Sequence, residues 1–202
     1  TKSYERDILS GRDKRKQYQI DENVILIGTI AVFRFQKRLK EWIELFKIVH
    51  EKNPQIRGCI IGDGILKEEI LTHVKQLGME DYILFPGLQT EVKPWLSAID
   101  IFMMTSSFEG LPIALLEAMS MECAIVATEA GGIKQLIRNE RDGFTASVED
   151  WQSLQNALNH LIQNSDEIIN YGTKARARVV ESFSIDVMVK QIEALYQQEL
   201  NK

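Results

Sequence analysis

The chain has 202 residues, 45% of them hydrophobic and 26% charged, with a formal net charge of −5. That length suits one large domain or two small ones of ordinary soluble composition, and the negative balance gives no footprint for nucleic acid. No apolar run approaches the roughly 20 residues of a membrane span, the polar opening Thr1-Lys2-Ser3-Tyr4 is no signal peptide, and His50, His73 and His160 lack metal-ligand spacing.

In chain order, residues 10–21 are polar and read as a linker. Within them Arg12-Asp13-Lys14-Arg15-Lys16 is a basic cluster, either solvated or in contact with an anionic membrane surface. Strands are expected at 24–30, 56–61, 82–85, 99–105, 124–127 and, more weakly patterned, 143–146. Helices are expected between them at 37–52, 65–77, 92–98, 112–121 and 133–138. Alternating βα units predict an α/β fold, a Rossmann-like doubly wound parallel sheet of about six strands flanked by helices. Val24-Ile25-Leu26-Ile27 and Cys59-Ile60-Ile61 are apolar without alternation, as strands covered on both faces should be. Cys59 and Cys123 therefore read as buried reduced thiols, which suits the cytoplasm. Beyond residue 150 three helices are expected, at 149–164, 166–182 and 184–200.

Ligands of such sheets bind where strands run into helices. The candidate residues fall there. Arg34, Lys37 and Arg38 follow the first strand and could neutralise an anion or simply begin a solvated helix. Gly62-Asp63-Gly64 and Gly131-Gly132 each open a helix, either as phosphate-binding turns or as tight turns alone. Glu109 lies in a loop, eight residues before Glu117, which sits in an apolar helix with no Lys or Arg three or four residues away. A helix starting at Pro112 places Ile113, Leu116, Glu117 and Ser120 on one face. A carboxylate there needs hydrogen-bond donors, and a pair of ligand hydroxyls would serve.

Phe108-Glu109-Gly110-Leu111-Pro112 through Leu116-Glu117-Ala118-Met119 resembles the Glu-x7-Glu motif of the retaining family 4 glycosyltransferases. Gly62-Asp63-Gly64, Phe85-Pro86-Gly87, Ala98-Ile99-Asp100-Ile101-Phe102, Val126 to Gly132 and Asp142-Gly143-Phe144 extend the resemblance over nearly the whole chain. It implies the C-terminal, nucleotide-sugar-binding domain of a two-domain GT-B enzyme. Residues 1–21 would then be a linker from an absent N-terminal acceptor domain, 22–183 the binding domain and 184–202 a crossover helix. Thr1 in place of an initiator Met fits a fragment or processed product.

By that resemblance Glu109 contacts the sugar and Lys37 the diphosphate, and both are the catalytic candidates. Gly110, Leu111, Pro112 and Ile113 offer backbone N–H groups to the sugar and phosphates, Glu117 takes the ribose hydroxyls, the loop at Leu88 lies beside the base, and Gly62 is a further donor-binding candidate. The implied substrate is a UDP- or GDP-sugar, with no metal or other cofactor. The implied setting is cytoplasmic, reaching the inner membrane face through the full-length enzyme, and the implied role is bacterial cell-surface polysaccharide synthesis. Two positions depart from the pattern. Val32 stands where the family commonly has Arg, with Arg34 the candidate substitute, and Gln135 stands where it often has Glu. A sugar-nucleotide epimerase of the same layout and a non-catalytic binding module are the alternatives.

Overall fold

The apolar runs pair with one another, since each carries unsatisfied backbone groups and two apolar faces. The structure, a computed structural model, describes residues 4–200. Its first half comprises α1 (Ile8–Gln17), β1 (Leu26–Ile30), α2 (Leu39–Lys52), β2 (Arg57–Ile61), α3 (Lys67–Gln76), β3 (Ile83–Gly87) and α4 (Lys93–Ala98). Then follow β4 (Ile101–Met104), α5 (Ile113–Ser120), β5 (Ala124–Thr128), α6 (Ile133–Leu136), β6 (Phe144–Ala146), α7 (Trp151–Gln163), α8 (Ser165–Phe183) and α9 (Ile185–Leu200).

The strands are parallel, in the order β3-β2-β1-β4-β5-β6. This is the expected Rossmann-like sheet. β1 pairs with β2 on one side and β4 on the other, with Ile27 opposite both Gly58 and Ile101. The winding reverses between β1 and β4, so the loops leaving these neighbours diverge and open a crevice. Strand side chains alternate between two cores. Ile27, Ile60, Ile101, Met103 and Val126 join α2, α3 and α7. Leu26, Cys59, Ile61, Phe102, Met104 and Ile125 join α4, α5 and α6. The buried Trp42 donates its indole N–H to the Met103 carbonyl at 3.0 Å, which ties α2 to β4.

Residues 10–21 correct the sequence reading, because most of them form α1. Asp7 caps that helix, its Oδ1 accepting the N–H groups of Leu9 and Ser10 at 3.1 and 3.3 Å. Gly11 lies so close to α4 that a Cβ would come 2.6 Å from the Ser97 carbonyl oxygen. Arg15 is buried and donates to Ala98 O, Val24 O and Asp100 Oδ2. Lys14 sits over the Trp95 ring and Arg12 pairs with Glu22, while Arg12 and Lys16 stay exposed. Composition hid the helix because a glycine contact and one arginine dock it, with no apolar stripe to read.

Other corrections are local. Lys37 ends a 3-10 turn, Phe35–Lys37, and Arg38 takes a left-handed φ of 50°, so α2 begins only at Leu39. Pro112 stands extended just before α5 (φ −74°, ψ 105°) and not inside its first turn. On α9, Met188, Ile192 and Leu195 form the expected apolar stripe, exposed at 52%, 44% and 58%. Residues 1–3 and 201–202 of the expected outer segments lie outside the described residues.

His50 gives the fold an acid sensitivity. It is buried on α2 between the Phe46 and Tyr82 rings. Burial, then the nearby Arg57, pulls its pKa below the usual value. A depressed histidine favours the fold above its unfolded pKa of about 6.5, and that contribution is lost as pH falls through the folded value. The thermal midpoint should therefore drop between pH 7.5 and 5.5, and His50→Phe should flatten that part of the profile. Identical slopes for the two proteins in circular dichroism melts would rule His50 out.

Candidate functional site

The loops leaving β1 and β4 meet in the crevice. Backbone bonds to the β2 side fix the first loop, from Ala31 N to Ile61 O and from Phe33 N to Asp63 O, both 2.9 Å. The Phe33 side chain is buried beneath it. Arg38 turns its guanidinium to Glu41 and Glu149 and lies over the Trp151 ring. This leaves Lys37 as the cation that faces the second loop. There Thr105 donates to the carbonyls of Lys37 and Arg38, and Ser107 N–H donates to Gln36 O at 2.8 Å.

Lys37 Nζ lies 2.5 Å from Glu109 Oε1, with the two side chains 19% and 10% exposed. Ser106 Oγ donates to the same oxygen at 2.6 Å, and the Ser106 carbonyl accepts from Thr128 Oγ1 at 2.5 Å. Two side chains 72 residues apart thus share a half-buried ion pair, where attraction is screened less than at an open surface.

The glycines build this loop by packing. Gly131 has φ +54°, and a Cβ on it would sit 1.9 Å from the Glu109 carbonyl oxygen. A Cβ on Gly132 would sit 2.1 Å from Gly110 O. The Gly132 N–H is already shared between the Glu109 and Gly110 carbonyls, at 3.3 and 3.2 Å. The pair is therefore a close-packed turn whose Gly132 N–H is spoken for. Gly62 is similar. Its φ is +136°, a Cβ would meet Ala31 O at 1.9 Å, and its N–H donates to Gly87 O at 3.0 Å. It shapes the loop after β1, and its own N–H is not available to a phosphate.

Donors remain at the start of α5. Among the described residues no acceptor takes the N–H groups of Gly110, Leu111 or Ile113. Pro112 has no amide hydrogen and corrects the expectation that it would offer one. The first turn of α5 carries no acidic residue, so its positive end stays open to an anion.

Glu117 lies about 6 Å further along the axis of α5. The donor it requires comes from within the chain, as Tyr4 donates its phenol hydrogen to Glu117 Oε1 at 2.6 Å. No spacing rule signals a contact across 113 residues. Glu109 and Glu117 share no partner among the described residues. Arg34 is exposed in a groove with Leu66 and Glu69, between α2 and α3, and among the described residues the cation paired with Glu109 is Lys37. Val32 and Leu88 are exposed at their loops, 52% and 75%, with Gln89 beside Leu88 held by Trp95 Nε1 at 3.1 Å. Gln135 is exposed on α6. A separate cavity of about 450 Å³ opens beside β6, lined by Asn139, Phe144, Asp150 and His160 among others, and contains none of the residues above.

The family model for glycosyl transferases group 1 matches residues 11–197. The chain belongs to this family. Among curated relatives, N-acetyl-alpha-D-glucosaminyl L-malate synthase of Bacillus anthracis is 32% identical over 183 residues, covering 90% of this chain and 48% of that protein. UDP-Gal:alpha-D-GlcNAc-diphosphoundecaprenol alpha-1,3-galactosyltransferase of Escherichia coli is 28% identical over 193 residues, 94% of this chain and 49% of that protein. The chain spans about half the length of these curated relatives. Of solved structures, Anabaena Alr3699/HepE in complex with UDP superposes with a TM-score of 0.88 at 21% identity, over 96% of this chain and 54% of that one. The C-terminal domain of the group 1 protein LpcC from Francisella tularensis superposes with a TM-score of 0.76 at 26% identity, over 86% of this chain and 92% of that one. The group 1 chain is thus a GT-B C-terminal domain in fold. Among its described residues, no helix is long and apolar enough to cross a membrane.

Proposed function

We propose that the chain forms the nucleotide-sugar side of a retaining, family 4 type glycosyltransferase that needs no metal. The observation that carries this reading is the Lys37–Glu109 pair beside the open start of α5, in the crevice between β1 and β4. Cleaving the bond from the sugar's anomeric carbon to the diphosphate leaves negative charge on the departing phosphate. Lys37 and the N–H groups of Gly110, Leu111 and Ile113 meet that charge in place. Glu109 accepts from the sugar hydroxyls and orients the ring, and Glu117 accepts from the ribose. Leu88 and its loop lie by the base.

The donor we propose is a UDP- or GDP-hexose, used for bacterial cell-surface polysaccharide in the cytoplasm or at the inner membrane face. The E. coli relative is named for UDP-Gal and for an alpha linkage, the outcome that retention gives from an α-configured nucleotide sugar. A partner domain of the same protein would hold the acceptor, and α9, with no buried residue, would lie across the two.

Thermal-shift and calorimetric titration with UDP, GDP and ADP tests the reading. At least one should bind, and at a hundred times its dissociation constant it should stabilise the fold by about 2.7 kcal/mol. A chain that ignores all three would instead be a non-catalytic interaction module.

A further inference from the structure

We propose that Tyr4 is a positioning residue for Glu117, holding one carboxylate oxygen so that the other is presented to a ligand hydroxyl. The inference rests on the nucleotide-binding reading above. The Tyr4 hydroxyl donates to Glu117 Oε1 at 2.6 Å, and Oε2 has no hydrogen-bond partner among the described residues. Tyr4 is itself fixed from two sides. Lys93 Nζ, at the start of α4, lies 5.0 Å above its ring. Arg176 on α8 donates to the Tyr4 carbonyl at 2.8 Å and also to the Ser120 carbonyl at the end of α5. One guanidinium thus joins the segment carrying Tyr4 to the helix carrying Glu117.

The chemistry is specific to a donor. Burial, then the hydrogen bond to Glu117 and its charge, pushes the Tyr4 hydroxyl up to about 12. The phenol therefore keeps its proton at any physiological pH and can only donate to Glu117. A carboxylate with one oxygen so occupied has lost its freedom to rotate. Its remaining lone pairs accept from a diol without that ordering cost.

The test is calorimetric titration of the 202-residue chain and its Tyr4→Phe and Glu117→Gln variants. The ligands are UDP and GDP, each beside its 2′,3′-dideoxy counterpart. Phenylalanine keeps the ring under Lys93, and melting curves establish that the variants fold. Tyr4→Phe should weaken the ribose-bearing nucleotide by roughly three- to tenfold, the worth of one hydrogen bond. It should leave the dideoxy form unchanged and add nothing once Glu117→Gln is present. Equal losses for both forms would make Tyr4 merely structural and overturn the proposal. Tighter binding by Tyr4→Phe would make the phenol a competitor for Glu117 and overturn it as well. If Glu117→Gln weakens UDP or GDP and Tyr4→Phe does not, the proposal fails and the ribose reading stands. If neither variant matters, or neither nucleotide binds, the ribose reading fails and takes the proposal with it.

Discussion

Lys37→Ala is expected to lower the affinity of the chain for UDP or GDP by about ten- to hundredfold, the worth of a hydrogen bond to a charged group, and to leave the matching nucleoside within about twofold. The difference would arise because, under the proposed reading, the ammonium answers phosphate as a point charge and has no role toward ribose or base. Lys37 also neutralises Glu109 at 2.5 Å, so its removal leaves a carboxylate facing the incoming anion. Arg34→Ala, by contrast, should leave the preference for diphosphate intact, because Arg34 lies in the groove between α2 and α3. Calorimetry with nucleotide and nucleoside separates these outcomes. Equal losses for both ligands in Lys37→Ala would reject the phosphate role.

Arg15→Ala should destabilise the domain by about 3 kcal/mol, in the range for removing one partner of a buried charged network. The guanidinium satisfies the carbonyls of Ala98 and Val24 and meets Asp100 at 2.5 Å. Asp100 Oδ2 in turn accepts the Leu26 N–H at 2.8 Å, so the arginine anchors α1 and also braces the first pair of strands at the sheet centre. Lysine cannot reproduce a planar fork with several acceptors, and Arg15→Lys should recover only part of the loss. Urea unfolding measures both. A loss under about 1 kcal/mol for Arg15→Ala would place the anchor of α1 elsewhere.

How legible each feature was in the sequence follows from how it is held. Strands covered on both faces leave continuous apolar runs, so β1, β2, β4 and β5 could be placed closely. The helix α1 could not, because Gly11 and Arg15 dock it and both residue types are common in linkers. The Glu-x7-Glu spacing pointed to Glu109 and Glu117 but was silent on their partners. Lys37 reaches Glu109 because β1 and β4 lie side by side, and Tyr4 reaches Glu117 because Arg176 of α8 and Arg6 tie the N-terminal segment to the end of α5. The glycines were ambiguous for a physical reason. An anion nest and a close backbone approach both demand a missing Cβ, and the Glu109 and Ala31 carbonyls beside Gly131 and Gly62 show that packing alone requires glycine there.

Under the proposed reading, the Lys37–Glu109 pair bears on selectivity between substrate and product. The lysine is already paired with a carboxylate, so a diphosphate bound as proposed would enter by exchange and would have to take the ammonium from Glu109. A complete nucleotide sugar would offer the displaced Glu109 new partners in the sugar hydroxyls, whereas a spent nucleotide diphosphate would offer it none. The same contact would then set a bias for charged carrier over discharged carrier, and the departing product would be helped out as the carboxylate returns to the lysine.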